Sequence, residues 1–384
     1  MIRKIKSIVS YIENLSDRQK TALTLGLALI CYFPFIFYGF GGDSDSHAVG
    51  RTAERLINEL QYQPSRYPGY FTHEAFSSLL YFLGGSVGTN FGTLIMSLIA
   101  IYFFLLILKT FNIPHRYLLA LFMAFQPIYF VNSSCTIDYI WALALLLAGY
   151  SVLLKKQTVL GGILFGLAVG ARMSSCLFVL AVVIAHFIVG KDDKYRTLFA
   201  GVIAAVTGAL LYIPSFIYAG KTMAFFTYYM PDFNLSGYLG RFVYKNIYFL
   251  GLQMFIAVIV SMPVIVRGFR KNRKEFDRLP VILSVLIIVF FELLFIKIPL
   301  ENEYLLPILP FLLILLAIAL KYRRKLLIVL FLVQLSFNFV NFNIAQPDVP
   351  NQATGARVGF WVEEGYVFKD FQHRLFQMEI NNDK

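Results

Sequence analysis

Acidic side chains open a polar stretch at residues 41–74, whose sequence is GGDSDSHAVGRTAERLINELQYQPSRYPGYFTHE. Asp43 and Asp45 flank one serine and follow directly after an apolar run. A carboxylate at a membrane edge can take a proton from a sugar hydroxyl as a general base. The Asp-Ser-Asp spacing can instead hold a divalent cation, such as Mg²⁺ or Mn²⁺, through oxygen ligands. Helix capping within a solvated loop is a third interpretation, and the spacing alone leaves the three open.

Hydrophobic composition places this polar stretch beside a membrane. Of the 384 residues, 58% are hydrophobic, whereas a soluble domain is about 45–50% apolar. Many apolar runs approach or exceed the roughly 18–20 residues that cross a bilayer, and they are continuous rather than alternating. The predicted fold is therefore an all-α polytopic bundle of about 10–11 transmembrane helices.

The apolar runs predict the order of the transmembrane helices. One run, 158–190, has Arg172 near its middle and lysines at both ends, so we predict a hairpin of two short helices there. The chain is predicted to form a multi-pass module over residues 1–343, with a short non-cytoplasmic tail at 344–384. The other predicted spans lie at about 21–40, 87–108, 117–131, 138–154, 197–219, 243–266, 279–297, 303–320 and 325–343.

Basic residues predict the orientation of the bundle. Most of the 34 Lys and Arg side chains fall in short segments that the span order places on one side, and such segments are cytoplasmic by the positive-inside rule. The net charge of +12 has the same explanation and does not indicate nucleic acid. We therefore predict an integral protein of the cell membrane, with a cytoplasmic N-terminus and with the loop 41–86 on the opposite face.

The loop 41–86 is predicted to contain two interfacial helices and the catalytic groups. Apolar residues between Val49 and Leu60 recur at helical spacing, with charged residues on the other side, as in a helix that lies flat in the interface. The segment PSRYPGY then breaks the chain. A second, apolar helix is predicted to begin near His73 and to end at Gly84–Gly85.

Four motifs in this order resemble the GT-C superfamily of integral membrane glycosyltransferases. They are GDSDS after the first span, SRYPGY followed by HE, GILFGLAVGAR ending at Arg172, and ENEYLLPILPFLL beginning at Glu301. The nearest likeness is to the branch of protein mannosyltransferases and lipid A aminoarabinose transferases. The resemblance implies a GT-C fold and a polyprenyl-phosphate sugar donor that is used on the non-cytoplasmic face.

The resemblance also implies a role for the acidic residue just after the first span. In the family this residue is the catalytic base or a metal ligand, and the position matches Asp43 or Asp45 of this chain. The family commonly has an Asp-Glu pair here, whereas this chain has Asp-Ser-Asp. The departure leaves open which of the two acts. A divalent cation stays an alternative, and no other cofactor is predicted.

Further candidate residues are charged or aromatic groups near the same predicted face. Arg172 and Arg66 are candidate ligands of the donor phosphate, because guanidinium groups bind phosphate oxygens well. The alternatives are a structural ion pair for Arg172 and a solvated loop position for Arg66. Acids on that face can bind sugar hydroxyls, hold an arginine or complement a helix dipole. The candidate substrate-binding residues are His73, Glu74, Glu301, Glu303 and Tyr304.

The predicted activity is transfer of a hexose or pentose from the polyprenyl-phosphate donor to a lipid, glycan or protein acceptor. A transporter or flippase of lipid-linked sugars is an alternative, but it predicts inverted repeats that the sequence does not show. A surface polysaccharide ligase or polymerase is another, and those enzymes usually place their large polar loop later in the chain. Soluble nucleotide chemistry is not indicated, because the chain has no GxxxxGK[ST] motif.

Overall fold

A computed structural model of the chain describes residues 14–190, 193–222, 235–345 and 358–382. The first helices are α1 Asp17–Tyr32, α2 Ser44–Asn58, α3 Phe71–Thr110, α4 Arg116–Ala124, α5 Pro127–Asn132, α6 Asp138–Leu154, α7 Thr158–Ala171, α8 Ser175–Val189 and α9 Lys194–Leu211. The remaining elements are α10 Ile213–Tyr218, α11 Leu235–Leu250, α12 Leu252–Asn272, α13 Arg278–Lys297, α14 Leu309–Ala319, α15 Arg324–Ser336, β1 Val340–Ala345, β2 Val358–Glu364 and α16 Tyr366–Asn382.

The fold is an all-α polytopic bundle, as the sequence predicts. Within the described ranges, six helical stretches are long and apolar enough to cross a membrane. They are Asp17–Phe37, Phe71–Thr110, Lys194–Tyr218, Leu252–Glu275, Arg278–Lys297 and Asn302–Ala319. Helices α6, α7 and α8 are apolar but shorter. Their buried side chains join those of the longer helices in one hydrophobic core.

Two predicted breaks in the helices are confirmed. Arg172 has an extended backbone (φ −160°, ψ 117°), so α7 ends there and α8 begins at Ser175. The long helix α3 is interrupted at Gly84 and Gly85, which have non-helical backbone angles. Gly85 has φ +57° and ψ −139°, a combination that glycine alone adopts readily. The two glycines thus divide α3 into two helical segments, at the position where the sequence predicts the end of a helix.

Three predicted spans are wrong in their details. The span 117–131 is two helices, because Gln126 caps a new helix through its bond to the Tyr129 amide (2.7 Å). The span 243–266 is interrupted at Gly251, which has φ +78°. The span 325–343 ends at Ser336, and Val340–Ala345 forms a strand that pairs antiparallel with β2. The predicted boundary at residue 343 therefore falls inside β1.

Candidate active site

Asp43 and Asp45 occupy different positions at the start of α2. Asp43 is the N-cap, and its Oδ1 accepts a hydrogen bond from the Ser46 amide at 2.9 Å. Asp45 lies in the first turn, where its Oδ2 is 3.1 Å from Nε of Arg66. Both carboxylates line a cavity of about 320 Å³, which we call the acidic cavity. Asp43 therefore caps the helix and also lines the acidic cavity.

A buried carboxylate holds the loop that carries Arg66. Glu74 is 0% exposed. One of its oxygens accepts bonds from the amide (2.8 Å) and hydroxyl (2.6 Å) of Ser65. The other accepts the Tyr62 hydroxyl (2.6 Å) and the Tyr70 amide (3.2 Å). Because all four donors belong to the proline-rich loop, Glu74 fixes that loop against α3.

His73 lies beside Glu74 and is equally buried. Its Nε2 is 3.2 Å from the Ser77 hydroxyl, and its ring centroid is 5.5 Å from that of Trp141. Neither His73 nor Glu74 lines the acidic cavity. Both candidate substrate-binding residues thus lie behind the loop rather than at the cavity surface.

Asp138 connects the two predicted phosphate-binding arginines, and sequence reasoning missed it. Its Oδ2 accepts a bond from Nη1 of Arg172 at 2.6 Å, and its Oδ1 pairs with Nη2 of Arg66. The residue is 0% exposed and begins α6. The sequence does contain a signal, because Asp138 is the sole acidic residue between Glu74 and Asp192. A lone acid in so long an apolar region is costly and usually functional.

Three tyrosine rings surround the arginines. The Arg172 guanidinium carbon is 3.9 Å from the ring centroid of Tyr139 and 4.8 Å from that of Tyr304. The Arg66 guanidinium carbon is 4.4 Å from the ring centroid of Tyr70. Cation–π contacts of this kind stabilise a guanidinium that is removed from water. We call this group the arginine cluster, and it consists of Arg66, Arg172, Asp138 and the three tyrosines.

The arginine cluster contains one hydrogen-bond donor that lacks a partner among the described residues. Nη1 of Arg66 is buried and has no hydrogen-bond partner among the residues that the structure describes. A buried donor without a partner costs free energy, comparable to a lost hydrogen bond. An anionic oxygen placed beside Arg66 would remove that cost. The cluster therefore has the chemistry to accept a phosphate group.

Glu301 and Glu303 line the acidic cavity together with the C-terminal helix α16. The Tyr366 hydroxyl lies 3.4 Å from Oε1 of Glu303. Asp370 borders the same cavity, and its Oδ2 lies 2.7 Å from Nε of Arg374. Sequence reasoning assigned no role to this helix. Its contribution rests on long-range packing, which local patterns do not reveal.

The carboxylates of the cavity influence one another. Partial burial raises the pKa of Asp45, although Arg66 opposes this shift, and the charge of Asp43 raises the pKa further. Burial likewise raises the pKa of Asp370, against the opposing effect of Arg374, and Asp43 again contributes. The negative charge of Asp43 therefore acts on both Asp45 and Asp370. The cavity favours ligands that donate hydrogen bonds to carboxylates.

The described residues do not form an evident metal site. No three His, Cys, Asp or Glu side chains within them converge closely enough to hold a metal ion. Asp43 is engaged by the Ser46 amide and Asp45 by Arg66. His47, another polar group of the first loop, packs edge-on against Phe40 at 5.8 Å.

A second cavity lies on the other side of the arginine cluster. It measures about 300 Å³, and we call it the apolar cavity. Its lining includes Pro68, Tyr70, Arg172, Met173, Leu177, Leu294, Ile298 and Tyr304. Tyr139 borders the acidic cavity and Tyr304 the apolar one, and their ring centroids are 6.1 Å apart. The Arg172 guanidinium contacts both rings, so it lies where the two cavities meet.

Comparison with known proteins supports the fold. No protein-family model matches the chain, and no curated protein matches it either. Two crystal structures of ArnT from Cupriavidus metallidurans are similar, one bound to undecaprenyl phosphate (TM-score 0.59) and one in the apo state (TM-score 0.58). Each is 16% identical and covers 80% of this chain. This chain covers 61% of one structure and 62% of the other. The predicted all-α polytopic fold is confirmed, and its architecture is similar to that of ArnT.

Proposed function

We propose that this protein is a membrane glycosyltransferase that moves a sugar from a polyprenyl-phosphate donor to a hydroxyl acceptor. One observation carries the proposal, namely that the arginine cluster lies between an apolar and an acidic cavity. The parts of a polyprenyl-phosphate sugar follow the same order, from an apolar chain through an anionic phosphate to a polyhydroxyl ring. The similar ArnT structure was bound to undecaprenyl phosphate, which agrees with this class of donor.

The apolar cavity and the arginine cluster hold the lipid half of the donor in this proposal. The isoprenoid chain lies against Leu177 and Leu294, where burial of apolar surface stabilises it. The phosphate accepts hydrogen bonds from Arg172 and from the open Nη1 of Arg66. Asp138 keeps both guanidinium groups in place before the donor binds. The arginines then stabilise the charge that grows on the departing phosphate.

The acidic cavity holds the sugar and the acceptor. Asp43 takes the proton of the acceptor hydroxyl as general base, and the hydroxyl oxygen forms a new bond to the anomeric carbon. The bond between that carbon and the phosphate oxygen breaks, and its electron pair leaves with the polyprenyl phosphate. A single displacement of this kind inverts the configuration at the anomeric carbon. Asp45 contributes by holding Arg66 at 3.1 Å.

The same end of the bundle is proposed to face the non-cytoplasmic side. Cationic side chains gather at the opposite end, where Arg116 pairs with Asp17 and Lys321 with Glu275. Basic residues concentrate on the cytoplasmic side of membrane proteins. This orientation exposes the acidic cavity to acceptors of the cell envelope.

Binding of the free carrier tests the donor half of the proposal. We expect the purified protein in lipid nanodiscs to bind undecaprenyl phosphate, and we expect Arg172→Gln to weaken that binding about 10- to 100-fold, as loss of a charge-assisted contact should. Arg116→Gln is the matched control, because Arg116 lies at the opposite end of the bundle. Equal binding by Arg172→Gln and the control would contradict the donor site.

Surface glycan analysis tests transfer itself. We expect mass spectrometry of cells with and without the gene to show the mass of one added sugar only when the gene is present. Asp43→Asn should abolish that mass difference. If the protein instead moves the lipid-linked sugar across liposomes without transferring it, the flippase alternative is correct.

A further inference from the structure

The acidic cavity has two distinct ends. Nε of Arg66 lies 3.1 Å from Oδ2 of Asp45, so the arginine cluster lies at the Asp45 end. Asp370 borders the cavity on helix α16 and pairs with Arg374 rather than with the arginine cluster. Along the first loop, Asp43 lies between Gly42, which adjoins Asp370, and Asp45, which pairs with Arg66.

Helix α16 is anchored by a buried arginine. Arg374 is 1% exposed, and its Nη1 donates to the Ser134 carbonyl (2.9 Å) and to the Phe35 carbonyl (3.3 Å). Its Nη2 donates to the Val131 carbonyl at 3.2 Å. The same side chain forms the ion pair with Asp370. Because three carbonyl groups hold the Arg374 guanidinium in place, the Asp370 carboxylate that pairs with it has little freedom to move.

The first loop approaches α16 very closely at Gly42. A Cβ atom on Gly42 would lie 2.6 Å from Oδ1 of Asp370, which is shorter than real Cβ contacts. A side chain at position 42 would therefore displace the Asp370 carboxylate, and glycine lets the two walls of the cavity meet without that shift. Asp43 follows directly in the chain, so the proposed base and Asp370 are on adjoining walls.

We propose that Asp370 is an acceptor-binding residue and that the acceptor is a saccharide with neighbouring hydroxyl groups. This inference rests on the proposed function. In a single displacement the attacking oxygen approaches opposite the leaving phosphate, so the acceptor occupies the end away from the arginines. One acceptor hydroxyl gives its proton to Asp43, and a neighbouring hydroxyl donates a hydrogen bond to Asp370. Arg374 acts as a positioning residue through its ion pair with Asp370.

The variant Asp370→Asn tests this inference in the full-length protein. We expect it to bind undecaprenyl phosphate within about twofold of the wild type. Sugar addition to surface glycans in cells that lack the original gene should fall about 10- to 100-fold, the effect of losing a hydrogen bond to a charged group. Glu364→Gln is the matched control, because Glu364 is exposed on neighbouring β2. It should retain both properties.

Gly42→Ala provides a second variant, since its methyl group would displace Asp370 without changing any charge. It should also retain carrier binding and lose sugar addition. Wild-type sugar addition by Asp370→Asn would overturn the inference. Loss of carrier binding by Asp370→Asn would overturn it too, because Asp370 would then support the fold rather than the acceptor. If the wild type neither binds the carrier nor adds a sugar, the proposed function itself is wrong and the inference falls with it.

Discussion

Arg172, which lies between α7 and α8, forms an ion pair with Asp138 at the start of α6, with Nη1 and Oδ2 2.6 Å apart. The second oxygen of Asp138 pairs with Arg66, so one fully buried carboxylate balances two guanidinium groups. Arg172 is itself only 8% exposed. Removing one partner of a buried pair leaves an uncompensated charge, which is more costly than removing both. The pair therefore links the stability of the bundle to the proposed phosphate site.

Asp138→Asn is expected to destabilise the protein by about 3–5 kcal/mol, since two buried arginines lose their shared counter-charge. Unfolding by SDS in mixed micelles measures the change. The double variant Asp138→Asn with Arg172→Gln should lose less stability than the sum of the two single variants. Asp17→Asn is the control, because its ion pairs are solvent-exposed and should contribute little to stability. Additive losses in the double variant would contradict the coupling.

Glu74→Gln is expected to loosen the loop that carries Arg66. The change removes the negative charge that accepts four hydrogen bonds, each of which is worth about 1.5–3 kcal/mol when the acceptor is charged. Limited proteolysis should then cut residues 62–70 faster, and undecaprenyl phosphate should bind more weakly. Glu59→Gln, an exposed change at the end of α2, should affect neither measurement. Unchanged cleavage in Glu74→Gln would show that the loop holds its position without this carboxylate.

Asp43→Asn and Asp45→Asn are expected to affect different measurements. If Asp43 is the general base, its replacement should lower the transfer rate about 10²- to 10⁴-fold and leave carrier binding intact. Asp45→Asn should mainly weaken carrier binding, because Asp45 holds Arg66. Initial rates at saturating donor and binding of undecaprenyl phosphate separate the two effects. The opposite pattern would assign the base to Asp45.

The acid limb of activity is expected to depend on Arg66. Partial burial raises the pKa of Asp45, Arg66 opposes this, and Asp43 adds to it. Because Asp45 must be ionised to hold Arg66, activity should fall as the pH decreases through its raised pKa, above the ordinary value of about 4. Arg66→Gln removes the guanidinium that Asp45 holds, so the remaining activity should no longer fall with the protonation of Asp45. Arg55→Gln, exposed on α2, should leave the pH profile unchanged.

Local sequence signals were sufficient for the all-α class of the fold and for two breaks within its apolar helices. Arg172 and the glycine pair at residues 84 and 85 interrupt apolar runs, and each interruption is a real break in the structure. Such breaks depend on backbone preference and on the cost of a buried charge, both of which are local properties. Charge and position in the chain also predicted that Arg66 and Tyr304 lie near Arg172.

The missed features depend on contacts between distant parts of the chain. Asp138 is 72 residues from Arg66 and 34 from Arg172, and no periodic pattern records such a pairing. The sequence contains a pattern that indicates β1, but the hydrophobicity of the segment favoured a membrane helix instead. Residues 336–343, SFNFVNFN, place aromatic residues and asparagines almost in alternation, which is typical of a strand rather than of a helix.

Gly85→Ala is expected to be more destabilising than Gly84→Ala, although a Cβ at either position would meet no atom within 4 Å. Gly84 has an extended φ of −167°, which other residues adopt, whereas Gly85 combines φ +57° with ψ −139°. Forcing alanine into that region costs about 1–3 kcal/mol. SDS unfolding of the two variants compares the same chemical change at neighbouring sites, so lipid contacts and expression are closely matched. Equal losses would show that α3 can bend at this point without the special backbone conformation of Gly85.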